Sequence, residues 1–209
     1  KNKKHKLGVI FNLDPHYMSG SHWTALYSDF KTGGIYYFDS YANKPPEEVL
    51  VLMERIKTQG NLLLEKGILD INKMDNKYTQ YSEYDIIGKK KIRVDNPEDF
   101  FTNGLISFGN KTRGNKVKIN NTTFNTITNI KNDVLTLKNN IDCDDCPYVF
   151  MKSFRTFYNN NRFQFKNSEC GVYSMHFIEE FLNGKDFNQI ISNIIHDNEI
   201  NKKRKIYYR

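Results

Sequence analysis

The sequence lacks any apolar run long enough to cross a bilayer, which argues against a membrane-spanning helix and a membrane partner. It also lacks the apolar region of a secretory signal peptide, since it opens with the basic run KNKKHK and has no initiator Met. We therefore expect that upstream sequence, with any targeting information it carries, is missing from these 209 residues.

Cysteine is scarce, with three residues in the chain. The number is odd and a chain of this length needs no disulfides, so we expect free thiols in a reducing intracellular compartment and not a secreted protein. Two of the thiols form the spacing Cys143-Asp144-Asp145-Cys146, which is half of a zinc site. A structural zinc site needs four ligands and no nearby His or Cys completes this one, so we predict two unligated thiols and no metal.

Acidic residues are in the minority, since 24 Asp and Glu against 31 Lys and Arg leave a net charge of +7. A basic, solvated surface is the simplest interpretation. Nucleic acid stays open as a partner, but no motif for binding it is present. The one dense basic cluster, Asn201 to Lys205, lies near the end of the sequence.

Apolar residues make up 38% of the sequence, which suits a single globular domain over residues 1–209. The turn at Gly33-Gly34 predicts a hairpin between two apolar strands. A helix is predicted to begin at Pro45-Pro46 and to break or end near Gly60. The strands predicted in this part of the chain are Leu7–Leu13, His22–Ser28 and Ile35–Phe38.

From about residue 67 to 142 the composition turns to Asn, Lys and Thr, and short apolar stretches predict a β-rich insertion. Its predicted strands are Ile86–Val94, Leu105–Phe108, Val117–Ile119, Phe124–Ile130 and Val134–Leu137. After it, the predicted elements are a helix at Tyr148–Tyr158, a strand at Arg162–Lys166 and helices at Cys170–Leu182 and Asp186–His196. Asn183-Gly184 is a typical stop for the helix that precedes it.

His22 and Asp39 lie 17 residues apart, with the glycine-containing turn near the midpoint. Residues equidistant from the turn of an antiparallel hairpin face each other, so the sequence places both at the open end of one hairpin. This is the geometry of an Asp-His pair, in which the carboxylate orients the imidazole and the other ring nitrogen faces a nucleophile. The alternative is two unrelated, solvated residues at strand ends.

Cys170 follows a polar loop and begins a predicted helix, whose dipole lowers the pKa of a thiol at that position. Gln164 lies six residues upstream, and a turn at Asn167-Ser168 would bring its side-chain N–H near the backbone N–H of Cys170. Two such donors can stabilise a developing oxyanion. The alternatives are an inert buried thiol and a polar residue on an exposed strand face.

These residues form the pattern His-Trp, an apolar strand ending in Asp-Ser, and then Gln-x5-Cys-Gly-x-Tyr. Over about Leu7–Pro46 and Phe154–Leu182, the pattern, its spacing and its chain order resemble the ubiquitin-like-protein-specific (SUMO) protease and adenovirus-protease group of cysteine peptidases. The resemblance implies an α+β cysteine protease fold, with a central mixed sheet flanked by helices. The implied roles are Cys170 as nucleophile, His22 as base, Asp39 as orienting carboxylate and Gln164 as oxyanion donor.

In cellular members of this group, the Trp that follows the catalytic His helps to roof a narrow tunnel, and Trp23 stands at that position. The resemblance therefore implies cleavage after a small residue, with glycine favoured. The alternative for Trp23 is a core aromatic on a strand. Neither a metal nor an organic cofactor is implied.

The sequence also departs from the cellular members. Glu169 stands where SUMO proteases usually carry Asp, and the insertion at 67–142 lengthens the gap between the Asp and the Gln. The segments from Phe11 to Trp23 and from Asn167 to Tyr173 look more like the versions that large DNA viruses encode. This implies processing of viral structural polyproteins, in the host cytoplasm or a virion. The alternatives are a deconjugating protease for SUMO or another ubiquitin-like modifier, and a catalytically inactive binding module of the same fold.

Two other histidines compete with His22 for the role of the base. His16 lies in a loop without a carboxylate at a matching hairpin distance, so we interpret it as a loop residue. His176 lies six positions into the predicted helix that begins at Cys170, so we expect it to contact the core or a partner helix.

Overall fold

The computed structural model describes residues 4–14, 17–18, 20–69, 71, 81–112, 116–143 and 146–208. Within them the chain forms two compact units. The first comprises Lys1–Phe30, Gly34–Lys57 and Arg155–Arg209, and the second comprises Lys31–Gly33 and Thr58–Phe154.

The secondary structure mixes strands and helices, so the predicted α+β class is confirmed. In chain order the strands are β1 (Lys6–Asn12), β2 (Trp23–Asp29), β3 (Gly34–Phe38), β4 (Tyr81–Gly88), β5 (Lys91–Val94), β6 (Leu105–Thr112), β7 (Lys116–Lys131), β8 (Val134–Leu137), β9 (Tyr148–Lys152) and β10 (Arg155–Tyr158). The helices are α1 (Glu47–Glu65), α2 (Cys170–Leu182), α3 (Phe187–Ser192), α4 (Asp197–Lys202) and α5 (Arg204–Tyr207).

The first unit is built on a mixed sheet in the order β1-β2-β3-β10. The strands β1, β2 and β3 are antiparallel neighbours, and β10 runs parallel to β3. Every residue of β3 is buried, because the strand lies inside the sheet and its apolar side chains pack on both faces. The three predicted strands of this region and the predicted mixed sheet are confirmed.

Helix α2 packs against β2 through aromatic side chains. Phe177 stacks on Phe38 with ring centroids 4.8 Å apart, and Phe181 stacks on Tyr27 at 4.3 Å. The helix has the predicted bounds and is followed by Gly184, whose φ of +87° suits a residue without a side chain. No helix among the described residues is both long and apolar enough to cross a membrane.

The helix predicted at Asp186–His196 is shorter than expected. Asp186 and Gln189 form a reciprocal capping box at its start, but the helix α3 ends at Ser192. The chain then turns, and the carbonyl of Ile195 accepts a hydrogen bond from the Tyr173 hydroxyl over 2.7 Å. That tertiary bond gives a partner to a carbonyl of the irregular segment between α3 and α4.

Helix α1 passes through Gly60 and ends at Glu65, so the prediction of a break near Gly60 is wrong. A Cβ atom at this position would lie 2.5 Å from Cδ2 of Phe154, whose side chain is 1% exposed. Next to it, the side chain of Asn61 accepts a hydrogen bond from the N–H of Phe154 over 2.7 Å. Gly60 therefore permits a close approach between the helix and Phe154, and does not interrupt the helix.

The second unit contains a closed barrel of strands in the order β4-β5-β8-β7-β6-β9. The stretch predicted as one strand at Ile86–Val94 is two strands joined by a turn, and the two predicted at Val117–Ile119 and Phe124–Ile130 are one long strand, β7. The barrel is filled by Ile92, Val94, Phe100, Ile106, Phe108, Ile127, Leu135, Leu137, Val149 and Met151. The β-rich character predicted for residues 67–142 is present, while their status as an insertion in a single domain stays a prediction.

Two predicted elements near the second boundary between the units are wrong. The stretch predicted as a helix at Tyr148–Tyr158 forms two strands of different sheets, β9 and β10. The strand β9 pairs with both β4 and β6 and is buried at every residue. Such a strand has no polar face and therefore no period of two. The strand predicted at Arg162–Lys166 is irregular, because its N–H groups bond to a carbonyl and a carboxylate elsewhere in the chain.

Cys143 and Cys146 are joined by a disulfide, with Cα atoms 5.8 Å apart. The prediction of two unligated thiols is therefore wrong for this pair. While the two sulfur atoms are bonded to each other, neither acts as a zinc ligand. Both pack against the core of the barrel. Cys170 is the free cysteine of the chain.

We predict that Gly60→Ala destabilises the protein. Alanine gains about 1 kcal/mol over glycine inside a helix, but overpacking a filled site typically costs about 1–3 kcal/mol, and the rigid Phe154 ring cannot yield easily. Thermal unfolding should therefore show a lower Tm than the wild type. The matched control is Gln59→Ala at an exposed position of the same helix. A rise in Tm for Gly60→Ala would show that the contact with Phe154 does not constrain the helix.

Candidate active site

His22 and Asp39 meet at the open end of the hairpin formed by β2 and β3. His22 directly precedes β2 and Asp39 directly follows β3, so the antiparallel register brings their side chains together. The Nε2 atom of His22 lies 2.9 Å from Oδ1 of Asp39. The exposed fraction is 1% for the Asp39 side chain and 13% for His22, so water competes little for this bond.

The backbone and side chain of Asp39 are held on several sides. The N–H of Tyr41 donates to Oδ1 over 2.7 Å, and the side-chain amide of Asn43 donates to Oδ2 over 3.3 Å. Asn159 directly follows β10 and is fully buried. Its side chain accepts a hydrogen bond from the N–H of Asp39 over 2.9 Å and donates one to the carbonyl of Asp39 over 2.7 Å. These bonds restrain the carboxylate from rotating away from the imidazole.

Cys170 is the first residue of α2 and is buried. Burial alone would raise the pKa of its thiol, but the interaction with His22 and backbone hydrogen bonds from Trp23 and Gly171 outweigh burial, so the pKa is lowered. The positive end of the helix dipole acts in the same direction. The site therefore favours a thiolate.

The pKa of His22 is raised to about 9. Burial alone would lower it, but the hydrogen bond to Asp39 and the interaction with the Cys170 thiol outweigh burial. The second ring nitrogen, Nδ1, is buried without a hydrogen-bond partner among the described residues. The two pKa shifts, upwards for His22 and downwards for Cys170, are in the directions that favour an imidazolium beside a thiolate.

The Gln164 side chain is fully buried and all of its polar groups have partners. Its oxygen accepts from the Ser40 hydroxyl over 2.7 Å. Its amide nitrogen donates to the Tyr41 hydroxyl over 3.1 Å and to the carbonyl of Lys166 over 2.6 Å. An oxyanion would have to replace one of those two acceptors, so the oxyanion role of Gln164 stays a prediction.

Trp23 is 40% exposed at the start of β2, so it is not a core aromatic. A Cβ atom on Gly171 would lie 3.9 Å from Cγ of Trp23 and would collide with the Tyr208 hydroxyl. Both rings therefore approach the backbone that directly follows Cys170. A side chain at Gly171 would make an ordinary contact with Trp23 and would require the hydroxyl of the exposed Tyr208 to shift.

His176 belongs to a charged group away from the hairpin. Its Nδ1 lies 3.3 Å from Glu179 and 3.0 Å from Nζ of Lys203, and burial together with the Lys203 charge lowers its pKa. In the described ranges, His176, Glu179 and Glu180 offer three metal-ligand atoms that lie within 4.8 Å of one another. Lys203 and Lys185 already bind the two carboxylates, so the group forms an ion-pair network. The competing base His16 lies outside the described residues.

Sequence reasoning missed Asn159 and Tyr41, which hold Asp39 and Gln164. Asn159 is 120 residues from Asp39 in the chain, and Tyr41 is 123 residues from Gln164. The spacing carried no signal for either contact, since both depend on the parallel pairing of β3 with β10. Ser40 was part of the Asp-Ser pattern, but its bond to Gln164 was equally invisible.

Comparison with known proteins finds partial matches to cysteine proteases. A model of the Ulp1 protease family, C-terminal catalytic domain, matches residues 107–209. A protein of Acanthamoeba polyphaga mimivirus that is named as a thiol protease is 48% identical to this chain over 52 residues. Those residues are 25% of this chain and 17% of that protein. These matches relate the chain to Ulp1-like cysteine proteases and give it a viral relative.

The fold resembles that of a protease from African swine fever virus. Its two crystal structures align with TM-scores of 0.51 and 0.50 and 20% sequence identity. They cover 100% and 98% of this chain, but 45% and 44% of the viral protease. The chain therefore spans less than half the length of the relatives that it matches.

The paired pKa shifts predict how Cys170 reacts with iodoacetamide. The thiolate should persist below pH 8.5, the usual pKa of cysteine, because the pKa of His22 is raised to about 9 and its cation favours the thiolate. In His22→Ala the cation is lost while burial stays, so the inflection of the alkylation rate should move upwards. Mass spectrometry of the Cys170 peptide measures the rate, and His5→Ala is the matched control. An unchanged inflection in His22→Ala would contradict the ion pair.

Proposed function

We propose that this chain, a relative of the Ulp1-like cysteine proteases, is the catalytic region of a thiol endopeptidase whose nucleophile, base and orienting carboxylate are Cys170, His22 and Asp39. The observation that carries the proposal is the meeting of His22 with both Asp39 and a thiol of lowered pKa. Perturbed pKa values in a nucleophile and its base are typical of active sites.

In the first half-reaction the Cys170 thiolate attacks the carbonyl carbon of the scissile peptide bond. A C–S bond forms, and the carbonyl oxygen becomes an oxyanion. The imidazolium of His22 then gives its proton to the departing amine as the C–N bond breaks, which leaves an acyl-enzyme and neutral His22. Asp39 keeps the ring oriented and stabilises its cationic form through Nε2.

In the second half-reaction water replaces the amine. Neutral His22 takes a proton from water, and the hydroxide attacks the thioester carbonyl. The C–S bond breaks, the carboxylic acid product leaves, and Cys170 returns to a thiolate beside protonated His22. No further reactant is required.

Two donors are proposed for the oxyanion. The backbone N–H of Cys170 lies in the first turn of α2, where N–H groups have no acceptor within the helix. The side-chain amide of Gln164 is the second, and it would exchange Tyr41 or the carbonyl of Lys166 for the oxyanion. Removing one such donor typically costs about 2.7–4 kcal/mol of transition-state stabilisation.

We propose that cleavage follows a small residue, with glycine favoured. The half-exposed Trp23 and the Tyr208 hydroxyl both approach Gly171, directly beside the nucleophile. Large side chains on the substrate would compete with these rings for space. The viral relatives favour a viral structural polyprotein as substrate.

The proposed cleavage preference is tested with a peptide library, comparing the native chain with Cys170→Ala. We expect cleavage enriched after Gly or Ala and complete loss in Cys170→Ala. Trp23→Ala should retain activity but accept larger residues before the cut, because the ring no longer limits the space. Cleavage without any size preference would contradict the role of Trp23.

The same assay separates the alternatives. Cleavage of a SUMO or ubiquitin-like conjugate with no cleavage of free peptides would favour a deconjugating protease, the second substrate class that the Ulp1 family match supports. Absence of turnover on every substrate, together with binding of one of them, would show an inactive binding module. Either result would overturn the proposed endopeptidase.

A further inference from the structure

The connection from Phe163 to Glu169 carries the predicted oxyanion donor at one end and precedes the nucleophile at the other. It forms neither helix nor strand. Its backbone is nevertheless bonded: the N–H groups of Phe163 and Gln164 both donate to the carbonyl of Ser40, over 2.8 and 2.9 Å. The position of Cys170 relative to Gln164 thus depends on what holds this irregular backbone.

Asp197, the first residue of α4, holds the middle of the connection. Its Oδ2 accepts from two consecutive backbone N–H groups, those of Phe165 and Lys166, each over 2.9 Å. Its Oδ1 lies 3.0 Å from the hydroxyl of Tyr173, in the first turn of α2. The side chain of Asp197 is buried, so these bonds have little competition from water.

The same C-terminal segment holds the end of the connection. The side-chain amide of Asn201 donates to Oε1 of Glu169 over 2.6 Å, and the Arg204 guanidinium donates to the carbonyl of Ser168. Glu169 is buried directly before Cys170. Asp197, Asn201 and Arg204 therefore contact three successive parts of one loop.

We propose that α4 and α5 act as a clasp on the Phe163–Glu169 connection, with Asp197 as its central positioning residue. The clasp keeps Gln164 and the backbone N–H of Cys170 in the relative positions that an oxyanion needs. This inference rests on the proposed function for its catalytic consequence, while the contacts themselves are independent of it.

An aspartate suits this position for a physical reason. Two consecutive backbone N–H groups share one acceptor, and a carboxylate oxygen binds both more strongly than a neutral group would. Alanine would remove the acceptor of both groups, and the loop would move to find other partners. Asparagine retains one acceptor oxygen but no charge, so it should preserve part of the arrangement.

The catalytic test compares Asp197→Ala, Asp197→Asn and Glu199→Ala on the peptide that the native chain cleaves best. A misplacement of about 1 Å can cost about 10²-fold in rate, so we expect that scale of loss in kcat for Asp197→Ala. KM should change little, because Asp197 touches no substrate. Asp197→Asn should fall between, and Glu199→Ala, an exposed neighbour in α4 whose carboxylate pairs with Lys202, should match the wild type.

Alkylation by iodoacetamide separates positioning from general loss of structure. That reaction develops no oxyanion, so it reports the Cys170 thiolate alone. We expect Asp197→Ala to keep the wild-type alkylation profile while its kcat falls. If Asp197→Ala does not fold, Asn201→Ala serves instead, because it removes one bond to Glu169 and leaves Asp197 in place. A wild-type kcat in both Asp197→Ala and Asn201→Ala would overturn the clasp.

Amide hydrogen exchange tests the contacts without any catalysis. The N–H groups of Phe165 and Lys166 should be protected in the wild type, exposed in Asp197→Ala and partly protected in Asp197→Asn. Unchanged protection in Asp197→Ala would overturn the inference. If the native chain cleaves no peptide, the proposed function fails, and exchange still decides whether Asp197 holds the connection.

Discussion

The hydrogen bond between His22 and Asp39 is the interaction on which the rest of the site depends. It joins the open end of one hairpin through Nε2 and leaves Nδ1 without a hydrogen-bond partner among the described residues. The pKa shifts of His22 and Cys170 support each other, because a cation stabilises a thiolate and a thiolate stabilises a cation. In the proposed mechanism, this pair is a nucleophile prepared before any substrate arrives.

The fold supplies this pair from distant parts of the chain. The ends of β2 and β3 place His22 beside Asp39, and α2, which begins at Cys170, packs against the same sheet. The parallel strand β10 adds Asn159, which fixes the backbone of Asp39. The sheet core is therefore also the frame of the site, and damage to its packing would reach the chemistry.

Local sequence signals predicted part of this arrangement. The hairpin and the bounds of α2 were predictable, because an apolar run, a glycine turn and an Asn-Gly stop act over a few residues. The meeting of His22 with Asp39 followed from hairpin symmetry alone. The strand β9 was mistaken for a helix because burial on both faces leaves no alternation of apolar and polar residues. Gly60 was mistaken for a helix break because its contact with Phe154 is tertiary and leaves no local signal. The bond between Gln164 and Ser40 spans 124 positions and the bond between Asp197 and Lys166 spans 31, beyond the reach of any local pattern.

The most direct test of the account uses a peptide ending in Gly-Gly, with an electrophile in place of the scissile carbonyl. Intact-mass and peptide mapping would locate the adduct after brief exposure of the native chain. The account predicts stoichiometric modification at Cys170, and a large fall in its rate in His22→Ala. Failure to modify Cys170, or an equal rate in His22→Ala, would contradict a thiolate activated by His22 and Asp39.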